Sequence, residues 1–250
     1  MEEKKEIIIG EEGWKTGKKI LIILAHPDDP EFFMGATIYR WINMGHAVHY
    51  VIITNGDKGG KKGDKPTEIA KIRKEEQKAA AALLGVQSVT FLNHEDGYLE
   101  TGMELRKEIV KMIRKFSPDI VVGCDPNNYF PRPNTINHPD HRAAGQLVVD
   151  AVFPAAGNYL IFNEILEEGY EPVSIKELWL SIPINPNLEL DVTPYWQTKM
   201  YALHQHKSQI GERGEFDIKM KKRYTPDSTE KNPKYTEKFF RIILQAEEEK

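Results

Sequence analysis

Residues 18–31 read KKILIILAHPDDPE, and the character of the chain changes abruptly at Ala25. The part up to Ala25 is a continuous apolar run rich in β-branched residues. Such a run predicts a strand buried on both faces, as in the middle of a parallel sheet. The part after it packs a histidine, two prolines and three acids into six residues, which no strand interior tolerates. It therefore reads as the loop at the carboxyl end of that strand. Beyond it, Phe33, Ala36, Ile38, Trp41 and Ile42 fall at helical spacing over 31–44, and Gly45 is placed to end the helix.

The same alternation continues downstream. AVHYVIIT (47–54) predicts a second strand, and Pro66-Thr67 open a long helix closed by Gly85. SVTFLN (88–93) predicts a strand, 104–116 a helix and DIVVGC (119–124) a fourth strand. Four strands alternating with helical patterns indicate βαβ units with right-handed crossovers, hence an α/β fold with a mostly parallel sheet. The later part is less regular. Residues 125–137 form a proline- and asparagine-rich loop, 140–152 a helix, 177–183 a strand and 194–206 a helix. KYTEKFFRIIL (234–244) reads as a short terminal helix. Without an internal repeat or a domain boundary, 1–250 is expected to be a single domain, with the first 17 residues or so and 211–233 peripheral.

The 250 residues carry 34 Lys+Arg against 38 Asp+Glu, a net charge of −4, with 40% hydrophobic and 29% charged residues. That balance excludes disorder and gives no electrostatic footprint for nucleic acid. The apolar run 20–25 is far too short to span a bilayer, and MEEKKEIIIGEEG lacks the pattern of a secretory leader. A cytoplasmic protein without a membrane span is expected. With Cys124 its single cysteine, the chain cannot form an internal disulfide.

Two histidine–acid clusters stand out among eight histidines: His26-Pro27-Asp28-Asp29 and His138-Pro139-Asp140-His141. Each lies at a loop boundary, the first at the carboxyl end of a strand, where open α/β sheets bind ligands. If the loop after DIVVGC lies beside the first strand, the clusters converge. They would then supply up to three imidazoles and three carboxylates. Two imidazoles and a carboxylate suit Zn²⁺ with a position left for water, and a spare carboxylate can take that water's proton. Spacing alone leaves open which atoms bind metal. The bland alternative is that each His-Pro-Asp is a turn, proline fixing φ and Asp capping a helix.

The sequence resembles the LmbE/PIG-L family of zinc-dependent N-acetylglucosaminyl deacetylases. Ala25–Glu31 match its A-H-P-D-D-x-E signature and His138–His141 its H-P-D-H signature. Further agreement lies in Thr54-Asn55-Gly56, Arg73 with Glu76, Asp96-Gly97, Pro118-Asp119, 153–156 and 206–209. The resemblance covers about 20–210. It implies a Rossmann-like three-layer sandwich and a hydrolase acting on linear amide C–N bonds, releasing acetate from an N-acetyl amino sugar. It assigns His26, Asp29 and His141 as zinc ligands and Asp28 as the base that activates water. His138 becomes the acid or oxyanion stabiliser, oriented by Asp140, and Arg73 lies near substrate. Assemblies are common among resembling proteins, so a homo-oligomer is compatible.

Other features have ordinary readings. His46, His49 and His94 read as surface or sheet residues, and Cys124 as core. GDKGGKKGDK lacks the spacing of a phosphate loop and reads as a solvated loop rather than a lid. Tyr129 and Phe130 suit either a sugar face or their own loop. His204 and His206, two apart on a presumed helix, cannot face one site together. Two competing readings are a metal- or sugar-binding protein without turnover and a non-haem Fe(II) oxygenase built on a His/carboxylate triad.

Overall fold

The computed structural model describes residues 8, 9, 12–14 and 17–245. In chain order the elements are β1 (Ile8–Ile9), β2 (Lys19–Leu24), α1 (Asp29–Asn43), β3 (Ala47–Thr54), α2 (Pro66–Leu84) and β4 (Ser88–His94). There follow α3 (Met103–Phe116), β5 (Ile120–Cys124), α4 (Pro139–Asp150), α5 (Asn163–Glu167), β6 (Glu177–Ser181) and β7 (Leu188–Asp191). The last are α6 (Trp196–Leu203), α7 (Lys207–Ile210), α8 (Arg213–Lys221) and β8 (Thr236–Ile243).

All eight strands form one sheet in the order β1-β7-β8-β6-β5-β2-β3-β4. Every pairing is parallel except those of β8, which is antiparallel to β6 and β7. The run 20–25 is fully buried because its side chains feed two cores. Ile20, Ile22 and Leu24 pack with Trp41, Trp179 and Phe239, whereas Leu21, Ile23 and Ala25 pack with Ile109, Val148 and Ala151. Helices cover both faces, so the predicted α/β architecture with its mostly parallel sheet is the one observed. Among the described residues no helix is long and apolar enough to cross a membrane.

The chain first moves from β2 outward to β3 and β4, then returns to lay β5 on the other side of β2. Ile20, Leu21 and Ile22 register with Ile120, Val121 and Val122. The crevice outside the carboxyl ends of β2 and β5 is therefore the switch point of the sheet, where the two connections diverge.

Three expectations are corrected. Residues 236–243 form a strand inside the sheet instead of a terminal helix: Tyr235, Glu237 and Phe239 turn to one face, Phe240 and Ile242 to the other. A two-residue period with aromatic and β-branched side chains fits the slot between β6 and β7. The helix expected over 194–206 stops at Leu203, leaving His204 paired with Asp217 at 2.6 Å and His206 with Glu31 at 3.1 Å. The expected peripheral segments are partly internal. Residues 1–7, 10, 11, 15 and 16 lie outside the described residues, but Glu12 is buried against Arg40 and Trp41, and Trp14 packs on Trp41 and Trp179. Within 211–233, Phe216 and Met220 of α8 join the core.

Helix α1 is interrupted at Met34 (φ −149°, ψ 25°). Such a break frees backbone groups that must find other partners. Glu237 of β8 accepts from the N–H groups of Ala36 and Thr37 at 3.4 and 2.8 Å. Lys199 of α6 donates to the Phe32 carbonyl at 3.0 Å and to Glu237 at 2.5 Å, with both charged side chains buried.

Candidate active site

The crevice brings the two histidine–acid clusters together across 115 residues of sequence: His26 Nδ1 and His141 Nε2 face each other at 3.2 Å. The Asp29 carboxylate closes this group, with Oδ1 3.0 Å from His141 Nε2 and Oδ2 3.4 Å from His26 Nδ1. Asp29 is the first residue of α1, where a negative charge suits the helix end, and Pro30 is tolerated in that first turn. Asp29 Oδ2 also accepts the His26 N–H at 2.8 Å, which tightens the turn leaving β2.

The partners on the far side of each ring fix its tautomer. His26 Nε2 lies 3.1 Å from Asp96 Oδ1 and 3.2 Å from Asp140 Oδ2, two acceptors, so that nitrogen carries a proton. His141 Nδ1 lies 2.9 Å from Asn137 Oδ1, whose Nδ2 donates to the Asn128 carbonyl, so Nδ1 donates there. In the neutral rings the lone pairs of His26 Nδ1 and His141 Nε2 then point into one space with a carboxylate. Two such lone pairs and a carboxylate suit a cation, which is a proton on His26 without metal or a metal ion in its place. Four-coordinate zinc with bonds of ~2.0–2.1 Å would space its ligands about 3.3 Å apart, so the separations here fit.

Asp28 sits beside this group in the left-handed region (φ 95°), uncommon for a residue with a side chain. Its carboxylate is 3.1 Å from Arg73 Nη2, which also donates to the Pro27 carbonyl at 2.6 Å, while Nη1 donates to Gly56 O at 2.8 Å. A Cβ on Gly56 or Gly59 would come within 2.5 Å of Nη1, so these two glycines allow the 55–64 loop to close around the guanidinium. Residues 61–65 beyond them are exposed. Burial raises the Asp28 pKa, Arg73 opposes it and Asp29 adds to it, leaving it at about 6. Asp29 behaves oppositely: burial raises its pKa, but His141 and His26 hold it far below the usual carboxylate range. Burial disfavours a charged His26, yet contacts with Asp140, Asp29 and Asp96 raise its pKa well above the ordinary imidazole value.

His138 caps α4, its Nδ1 accepting the Asp140 N–H at 3.2 Å. Burial, with repulsion from His26 and His141, lowers its pKa despite Asp140 and Asp96. A neutral His138 thus carries its proton on Nε2, and its side chain is the most open of the cluster at 40% exposure. The Asp140 carboxylate does not touch the ring it was expected to orient. It accepts from Gly97 N at 2.7 Å and Leu99 N at 3.3 Å and meets His26 Nε2. It therefore steadies His26 and the turn after β4; what it offers His138 is a backbone donor.

Arg73, which the resemblance implies lies near substrate, is buried. His206 is also buried and sits behind the site on Glu31, not at its mouth. Tyr129 and Phe130 are exposed, with Arg142 4.4 Å from the Tyr129 ring centroid. His46, His49 and His94 are engaged with Lys18 N, Ser88 and Glu108, and Cys124 is core. Asn137 and Gln77 were not singled out in the sequence, and Asp96 and Glu31 were noted only as matches to the family, with no role assigned. Asp96 was within reach of sequence reasoning, because it too follows the carboxyl end of a strand.

Residues 21–152 match the model of the family described as PIG-L: GlcNAc-PI de-N-acetylase. The chain is 37% identical over 198 residues to diacetylchitobiose deacetylase of Thermococcus kodakarensis, covering 78% of this chain and 71% of that protein. It is 27% identical to a probable N-acetyl-alpha-D-glucosaminyl L-malate deacetylase 2 of Bacillus anthracis, over 78% of this chain and 83% of the other. Among solved structures, N,N'-diacetylchitobiose deacetylase from Pyrococcus horikoshii, complexed with its inhibitor MPG, superposes with a TM-score of 0.81 at 31% identity. That superposition covers 92% of this chain and 85% of that one. The family match spans both histidine–acid clusters of the switch-point crevice, and the chain belongs to the PIG-L family.

Proposed function

We propose that this protein is a cytoplasmic, zinc-dependent deacetylase that removes the N-acetyl group from a small molecule containing N-acetylglucosamine. As a member of its family the chain is a hydrolase of linear amide C–N bonds. The observation that carries the metal-dependent reading is the meeting of His26 Nδ1, His141 Nε2 and the Asp29 carboxylate within 3.4 Å of one another.

His26, Asp29 and His141 would hold the zinc, which supplies Lewis acidity at the amide carbonyl and a water of lowered pKa. Asp28 is the base: its carboxylate is free of the ligand group, and a pKa of about 6 leaves it ionised at neutral pH yet able to accept a proton. The Arg73 fork keeps that carboxylate turned inward. His138 Nε2–H, at the open side, donates to the oxygen that gains charge as water adds to the acetyl carbon. The proton taken by Asp28 leaves on the amine when the C–N bond breaks, giving acetate and a free amino sugar.

The test pairs metal analysis with acetate and amine release from N-acetylglucosamine, diacetylchitobiose and N-acetylglucosaminyl malate. Near-stoichiometric zinc and turnover of at least one of these are expected. Asp28→Asn should retain zinc and lose most turnover. Metal-free protein with His26, Asp29 and His141 intact and fully active would overturn the reading.

A further inference from the structure

Behind Asp28 lies a chain of polar side chains with no solvent-facing member. Gln77 Oε1 of α2 accepts the Asp28 backbone N–H at 2.7 Å. Gln77 Nε2 donates to both oxygens of Glu31 at 3.1 and 3.0 Å. Glu31 in turn lies 3.1 Å from His206 Nε2 and accepts from Tyr50 OH at 3.3 Å. Glu31, Gln77 and Tyr50 are fully buried and His206 nearly so.

The order of atoms in this chain is dictated. A carboxylate can only accept, so Glu31 draws the Gln77 NH₂ group toward itself and turns the amide oxygen toward Asp28. That oxygen meets the N–H of a residue at φ 95°, a conformation uncommon for a side-chain-bearing residue that must be held from outside. Fixing the N–H fixes the peptide plane on one side of the N–Cα bond, and φ is then set by what holds the side chain on the other. Arg73 grips the same residue from its carboxylate. The two helix α2 residues, one turn apart, hold the base at both ends.

We infer that Gln77, oriented by Glu31, is a positioning residue that sets the aim of the Asp28 carboxylate; this rests on Asp28 being the base. It touches neither the three candidate ligands nor the open side of the site, so it acts on turnover and not on metal or substrate affinity.

The experiment uses the zinc-loaded protein and the acetylated sugar it turns over fastest. Gln77→Leu should lower kcat roughly 10–100-fold with KM and zinc content within twofold of the parent. In the Asp28→Asn background the same change should have no further effect, since there is no base left to aim. Gln77→Glu alone sets two carboxylates against each other and should be at least as poor as Gln77→Leu. Adding Glu31→Gln reverses the pair: the new amide donates to the new carboxylate, which still accepts from Asp28 N–H, and kcat should recover to within a fewfold of the parent. Unchanged kcat in Gln77→Leu, an equal loss in the Asp28→Asn background, loss of zinc along with kcat, or no recovery in the reversed pair would overturn the inference. Full activity of Asp28→Asn itself would instead overturn the assignment of the base.

Discussion

The guanidinium of Arg73 stands 3.1 Å from the carboxylate of Asp28 and packs against a loop in which Gly56 and Gly59 leave no room for a Cβ. A positive charge at that distance favours the ionised acid, so Arg73 lowers a pKa that burial raises. Arg73→Met should move the acid limb of the kcat/KM profile to higher pH and lower the plateau. A limb left in place would show that Asp28 does not report on Arg73.

Asp28 also sets a pH-dependent difference in stability. Its pKa rises from 3.8 to about 6 on folding, so between those values the folded metal-free protein binds more protons than the unfolded chain. Stability from this group is therefore lost as pH rises through that window. Asp28→Asn lacks the effect. Relative to the parent, metal-free Asp28→Asn should gain up to about 3 kcal/mol between pH 3.5 and 7 in urea unfolding. A difference independent of pH would contradict the buried charge.

Metal uptake should expel a proton. In the metal-free protein the raised pKa of His26 keeps its ring cationic among Asp29, Asp96 and Asp140, whereas a ligand nitrogen must be neutral. Apparent zinc affinity should increase by up to about tenfold per pH unit below the His26 pKa. Calorimetry in buffers of different ionisation enthalpy reads the release directly, and zero proton release would refute it.

Asn137 holds His141 Nδ1 at 2.9 Å while pinned to Asn128. Asn137→Ala frees the ring to adopt the wrong tautomer and should weaken zinc binding roughly 10–100-fold in a chelator competition. Wild-type affinity in this variant would remove Asn137 from the metal centre.

Lys199 and Glu237 form a buried pair that also caps the break in α1. Lys199→Met leaves an uncompensated carboxylate and should cost about 3–5 kcal/mol in chemical denaturation at pH 7. A loss under 1 kcal/mol would mean that the pair contributes little.

What the sequence made legible was the centre of the sheet. The run 20–25 is apolar at every position because both faces are covered, and the two histidine clusters lie one at the end of β2 and one at the start of α4, after the loop that leaves the adjacent strand β5. Residues whose neighbours are distant in sequence were harder to read. Gln77 lies in the polar run RKEEQK, yet it shares an inward face of α2 with Ile69, Arg73, Ala80 and Leu84. A binary pattern records polar residues there as solvent-facing. In KYTEKFFRIIL the paired phenylalanines and isoleucines hide the two-residue period, because both faces of β8 are partly covered. The Asp140 carboxylate was assigned to its chain neighbour His138, while its observed partners arrive from β2 and the turn after β4.

The threading of β8 between β6 and β7 sets an order of events. Residues 26–141 contain every candidate ligand and leave the ribosome well before residue 236. Helix α1, whose first residue is Asp29, acquires the cap of its second half only when Glu237 arrives. A nascent chain can thus gather the histidine clusters early but reaches its final geometry late, when a strand slides into a gap already flanked on both sides. Vectorial synthesis thus makes the candidate ligands available before the strand whose Glu237 caps the second half of α1.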